Sequence, residues 1–108
     1  MVLSKVVIDP GAKLPLHYHR GTQIARIVSG VLNYTVQSGS AVVREGNAEH
    51  PRKVRTIKAG QTARLRPGQW LVEQPSDVHR AANRGSKPVV IFLSTLLEDG
   101  APPSTPAS

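Results

Sequence analysis

The chain has no cysteine among its 108 residues. Disulfides, thiolate nucleophiles, iron–sulfur clusters and cysteine-containing zinc sites are thereby excluded. Any metal bound here must rest on nitrogen and oxygen donors. Aromatic residues are nearly as scarce, with one Trp, two Tyr and one Phe. A core must therefore be built from Val, Leu, Ile and Ala. No apolar run approaches the roughly eighteen residues that a membrane-spanning helix requires. The opening Met1-Val2-Leu3-Ser4-Lys5 lacks the basic-then-apolar layout of a secretory leader, so the expectation is a cytoplasmic protein. Acidic side chains are also few, seven against fourteen Lys and Arg, which gives a formal charge of +7.

Much of that positive charge falls between Arg44 and Arg66, on Arg44, Arg52, Lys53, Arg55, Lys58, Arg64 and Arg66. Glu45 and Glu49 interrupt it, and no aromatic residues are interleaved for stacking on bases. A solvated basic sheet face is the plainer reading, steering of anionic small molecules is a second, and no nucleic-acid partner is expected. Other chemistries are missing as well. There is no G-x-S-x-G nucleophile elbow, no G-K-[ST] phosphate loop and no DNA-reading helix.

Helical periodicity is absent too. The dominant period is two. Gln23–Val28 and Val31–Val36 read as strands joined at Ser29-Gly30. Ala41–Arg44, Val54–Lys58, Thr62–Leu65, Trp70–Val72 and Val78–Asn83 follow at spacings near ten residues, broken by Gly and Pro turns. Pro88–Leu97 is the most apolar run and suits a central strand, and Val6–Ile8 suits an edge strand. Such a series predicts one all-β domain over residues 1–97, an antiparallel sandwich or barrel with little helix. The last residues, 98–108, include GAPPSTPAS and have nothing to bury, so a disordered tail is expected.

The chemistry concentrates in LPLHYHRGTQ, Leu14 to Gln23. In an extended chain residues i and i+2 share a face. His17 and His19 then point the same way, and Leu14, Leu16 and Tyr18 take the other side. Two neutral imidazoles on one face can grip one ion. A strand with two exposed histidines is the competing bland reading of that pair alone.

The wider pattern is Gly11, then His17-x-His19, Gln23 and Gly30, followed by Gly68, Pro75, His79 and Asn83. This arrangement resembles the two motifs of the cupin superfamily. The first motif matches closely. The second is looser, since its Pro-to-His interval is one residue short and Asp77 stands near the usual glycine. The resemblance implies a small antiparallel jelly roll holding a metal inside the barrel. Carried onto this chain, the ligands are His17, His19, Gln23 and His79, around one divalent ion of Fe, Mn, Zn, Ni or Cu. Gln23 stands where the family usually has an acidic ligand. A neutral amide leaves the ion's charge uncompensated. That predicts weaker metal binding, stronger Lewis acidity and a preference for an anionic partner.

The implied function is a divalent-metal-binding cupin, a small metalloenzyme acting on a small, oxygen-rich organic molecule, either neutral or anionic. No protein base is evident beside the ligands, which favours dioxygenase-type chemistry slightly over isomerase or lyase chemistry. The alternative is a non-catalytic metal- or ligand-binding cupin. An open, lined pocket would argue for the enzyme, and a cavity plugged by Trp70, Tyr34 and leucines would argue for the binder. No catalytic residue is assigned beyond the ligands. Tyr34 and Trp70 line or cap the cavity if they point inward. Tyr18 suits packing, Arg26 and Arg80 the surface, and Asn83 a turn. Gln37 and Glu73 are weak candidates for pocket lining. His50 completes a site only if its loop folds back over the mouth. A homodimer is expected, with Lys5–Ile8 as the contact strand.

Overall fold

The computed structural model describes residues 2–47, 49–97 and 104–107, with the side chains of Val2 and Leu97 excepted. Among these residues there are eleven strands and no helix. They are β1 (Val2–Ile8), β2 (Lys13–Tyr18), β3 (Gly21–Ser29), β4 (Leu32–Ser38), β5 (Ser40–Glu45), β6 (Arg52–Lys58), β7 (Thr62–Leu65), β8 (Trp70–Glu73), β9 (Val78–Ala82), β10 (Val89–Leu97) and β11 (Thr105–Pro106). Every strand expected from the two-residue period is present.

The strands form two antiparallel sheets, one ordered β1-β10-β3-β8-β5-β6 and the other β11-β2-β9-β4-β7. Consecutive strands mostly fall in different sheets, as a jelly roll requires. Alternation decides what is buried. Leu32, Tyr34 and Val36 of β4 and Ala63 and Leu65 of β7 point between the sheets. Ile27, Val43, Ile57, Leu71, Val89 and Ile91 meet them from the six-stranded side. The core is aliphatic, as the shortage of aromatics demanded.

Two of the motif glycines are turn devices. Gly30 and Gly68 have φ of +79° and +87°, a region that side chains with a Cβ disfavour. At Gly30 the room is missing as well, since a Cβ would lie 2.6 Å from the Pro88 carbonyl oxygen.

One local irregularity matters for the site. In the β2–β9 pair Leu14 faces Ala81, yet His17 faces His79. Three steps along β2 match two along β9, so β2 carries one extra residue at Pro15–Leu16. This is a β-bulge, and proline, which lacks an N–H, is at home in one. It corrects the strict alternation assumed for this stretch, because Leu14 now shares the cavity side with His17.

The C-terminal tail departs in part from its expected disorder. Residues 98–103 and 108 lie outside the described ones. Ser104–Ala107, however, runs along the open edge of β2, with Thr105 opposite Tyr18 and Pro106 opposite His17. The Ala107 N–H donates to the Leu16 carbonyl at 3.1 Å. The edge of β2 offered free backbone groups, and an extended Thr-Pro segment satisfies some of them.

Candidate metal centre

His17, His19 and His79 converge from separate parts of the chain. Each offers a ring nitrogen within 4.8 Å of those of the other two. His17 and His79 meet because β2 and β9 pair in that register, and His19 follows directly after β2. The ring centroids of His17 and His79 are 4.3 Å apart, and those of His19 and His79 5.2 Å. His19 and His79 are buried and His17 is half-buried.

The opposite wall is a row of three polar residues in register across the six-stranded sheet. Thr95 of β10 faces Gln23 of β3, which faces Glu73 of β8. All three are buried. The Thr95 hydroxyl donates to Gln23 Oε1 at 2.9 Å, and Gln23 Nε2 donates to Glu73 Oε1 at 2.5 Å. These bonds settle which way the amide points, because a carboxylate accepts and the NH2 group must face it. Gln23 therefore turns a nitrogen toward the histidines, 3.2 Å from His19 Nε2. That nitrogen has no lone pair to give. The amide oxygen, which could ligate, is held by Thr95.

Glu73 is the residue that joins the two walls. Its Oε2 lies 2.7 Å from His79 Nε2, and its Oε1 lies 3.5 Å from His19 Nε2. The Tyr34 hydroxyl donates to Oε2 at 2.6 Å, and the Tyr34 ring stacks on His79. Burial by itself would raise the Glu73 pKa. Hydrogen bonds from His19 and His79, the His79 charge and the Tyr34 hydroxyl outweigh it and hold the carboxyl well below its usual range. Burial and the adjacent Glu73 charge push the Tyr34 phenol far up, so it keeps its proton. Burial also pushes the His17 imidazole below its ordinary value. The Pro15 carbonyl opposes this, while His79 and His19 reinforce it. His17 Nδ1 donates to that carbonyl at 2.6 Å. The tautomer is thus set and the Nε2 lone pair is left for a ligand bond.

The donor set fits a divalent cation. His19 Nε2 and His79 Nε2 are 3.2 Å apart, about the separation that two nitrogens each about 2.1 Å from one ion would have. The proton that His79 places against Glu73 occupies the ground a cation would take, so binding would release it. His79 Nδ1 is buried without a partner among the described residues, and orphaned polar atoms of this kind occur at functional sites. Glu73 also supplies the negative charge that the motif residue Gln23 lacks. The uncompensated centre expected from Gln23 alone is therefore corrected.

A cavity of about 360 Å³ opens beside the cluster. It is lined by all three histidines, Gln23, Glu73 and Tyr34, and also by Ser104 and Pro106 of the C-terminal segment. Tyr34 points inward, as one of the two options for it required. Trp70 does not. Its neighbours Leu71 and Glu73 face the core, so it faces out, donates to the Gly46 carbonyl at 2.9 Å and lies under the Arg44 guanidinium. His50 is exposed and outside the cluster. Asn83 takes the turn role, donating to the Ile8 and Lys87 carbonyls at 2.8 Å. Glu73 was undervalued at the level of sequence. The available signal was its place two residues from Leu71, which puts both on one face.

A model of the cupin family matches residues 1–102. Among solved structures, a protein with a double-stranded β-helix domain from Klebsiella pneumoniae is similar at 26% identity and a TM-score of 0.54, over 99% of this chain and 74% of that one. A dTDP sugar isomerase from Desulfovibrio desulfuricans is similar at 17% identity and a TM-score of 0.62, over 99% and 64%. A cupin 2 domain-containing protein from Halorhodospira halophila gives 13% and 0.63, over 98% and 57%. The chain thus spans under two thirds of the length of the latter two, and at these identities they show the fold alone. No curated protein sequence matches the chain. Family match, two-sheet topology and motif positions agree, and the chain belongs to the cupin family.

Proposed function

We propose that the protein binds one divalent metal ion on His17, His19 and His79, beside the Glu73 carboxylate, and acts as a small metalloenzyme on an oxygen-bearing organic molecule. The observation that carries this reading is the meeting of three imidazoles and a buried carboxylate on the wall of an open cavity. Gln23 serves as a positioning residue. It holds Glu73 with its NH2 group and is itself held by Thr95. This departs from Gln23 as a direct ligand.

When bound, such an ion supplies Lewis-acid polarisation, and iron or copper would add one-electron chemistry with oxygen. The chain does the rest. Burial keeps the His17 imidazole neutral, and its bond to Pro15 sets the tautomer. Glu73 offsets part of the cation's charge. Tyr34 retains its proton and fixes the carboxylate. The apolar walls keep water away from the reacting end of a substrate. Gln23 and Tyr34 engage the two Glu73 oxygens, so the one carboxylate among the described lining residues is already held. That supports dioxygenase-type chemistry over isomerase or lyase chemistry. The open cavity and the outward Trp70 support an enzyme over a plugged binding barrel.

The test is elemental analysis of untagged protein purified without chelator, alongside His17→Ala and His79→Ala. Near-stoichiometric metal in the wild type and its loss in both variants is the expected result. Wild-type protein that takes up no metal after reconstitution would sink the reading. Oxygen uptake by iron-loaded protein with candidate substrates then separates oxygenase from the other chemistries.

The proposal extends to a homodimer. Leu3 and Val7 of β1, Phe92 and Leu96 of β10, and Ile24 and Val28 of β3 are 43–78% exposed. The inward residues of these strands are the intervening ones, so all six share the outer face of three adjacent strands. Six half-exposed side chains present roughly 500 Å² of apolar surface, the upper range for a monomer. β1 is also a free sheet edge, and a second copy is the occupant that covers face and edge together by two-fold symmetry. Light scattering should give a dimer that Leu3→Lys with Phe92→Lys converts to monomer. A monomeric wild type at high concentration would end this part.

A further inference from the structure

The cavity narrows the substrate class, and this step rests on the metal-centre reading. An apolar cavity of about 150 Å³ holds benzene. One of about 360 Å³ has room for a molecule of about a dozen non-hydrogen atoms. Most of its polar side chains meet in one cluster. Thr95, Gln23, Glu73, Tyr34 and His79 are joined by hydrogen bonds and ion pairs across the two sheets into one polar wall. The rest of the lining is mainly hydrocarbon, from Val6, Leu14, Ala25, Ile27, Ile91 and Leu93 among others, with Ser4 and Ser104 the other hydroxyls.

Among the described residues, no lysine or arginine lines the cavity. The seven basic residues between Arg44 and Arg66 are all elsewhere, so they offer no counter-charge to a bound molecule. A cation held by the three histidines would place its positive charge at this polar end alone. An anionic group at the far end of a ligand would be stripped of water against aliphatic side chains with no partner. Burying an unpaired carboxylate in this way is strongly unfavourable. An oxygen-rich molecule charged along its length does not suit these walls.

We infer that the cavity takes a mainly hydrocarbon molecule with a single polar end, which meets the His–Glu wall while the remainder packs among the aliphatic side chains. The size sets the upper limit, and the one-sided polarity sets the orientation.

The probes are 4-methylphenol and 4-hydroxybenzoate. They share the phenol end and differ only in a methyl or a carboxylate at the far end. Both are titrated by calorimetry into metal-free and zinc-loaded protein. The expected result is at least tenfold tighter binding of 4-methylphenol in both forms, with amide NMR shifts at Ala25, Ile27, Ala81, Ile91 and Leu93. Ala25→Leu, which fills the cavity, should abolish binding while leaving zinc uptake unchanged. Equal or tighter binding of 4-hydroxybenzoate would overturn the inference. So would binding of neither probe, or shifts confined to other residues of the wild type. Protein that takes up no zinc yet prefers 4-methylphenol would remove the metal reading and leave the cavity inference standing.

Discussion

The two walls of the centre are built by different means. On the five-stranded side, His17 and His79 face each other because β2 carries an extra residue. On the six-stranded side, Thr95, Gln23 and Glu73 line up through regular pairing with no bulge among them. The first wall presents ring nitrogens, whose lone pairs suit a cation. The second presents a chain of hydrogen bonds ending in a carboxylate, which orients and neutralises. A strand irregularity thus sets the proposed ligands, and ordinary register sets the residues beside them.

Substitutions on each wall should separate these roles. His79→Ala is expected to have the largest effect. It removes a proposed ligand, leaves a void and strips Glu73 of its His79 partner, costing about 3 kcal/mol in denaturant unfolding and all metal in elemental analysis. Metal retained by this variant would place the ion elsewhere. Gln23→Glu comes next. It restores the acidic residue usual in the motif but sets a second carboxylate against Glu73. The metal-free protein should lose about 2 kcal/mol, because two carboxylates so close cannot both ionise at no cost. Metal should then raise the variant's melting temperature more than it raises the wild type's. An unchanged metal-free stability would mean that Gln23 and Glu73 are not in contact.

Thr95→Val tests the far end of the row. It removes one buried donor to Gln23 and should cost about 1 kcal/mol, with a measurable drop in metal affinity by competition with a chelator. Loss of stability with unchanged affinity would show that Gln23 holds Glu73 without help. Trp70→Phe should do least. It breaks only the bond to the Gly46 carbonyl outside the barrel, and both unfolding midpoint and metal content should stay close to wild type. A clear loss of metal there would contradict the outward placement of Trp70.

Strands β1 and β3 to β10 and most of their boundaries were legible in the sequence, while β11 and the order within each sheet were not. Alternation over four to nine residues, cut by Gly and Pro, reports a half-buried sheet locally. His17 and His19 stood out because two imidazoles one residue apart share a face, and His79 because it sits in a second recognisable pattern. Periodicity, however, states only which residues share a face. It does not say which face is inside. Glu73 and Trp70 lie on opposite faces of one short strand, and only packing against β3 and β5 sends Glu73 to the histidines and Trp70 to the surface.

Composition and local pattern by themselves determined an all-β domain with an aliphatic core and restricted any metal site to nitrogen and oxygen donors. Tertiary structure decided the rest. The bulge at Pro15–Leu16 brings Leu14 and His17 to the same side, the register between β3 and β8 sets Glu73 beside Gln23, and β11 lies along β2. Each of these depends on partners distant in sequence, from 50 residues for Gln23 and Glu73 to nearly the whole chain for β2 and β11. Pairing across such separations is fixed by the joint burial of two sheets, which no short stretch of the chain contains.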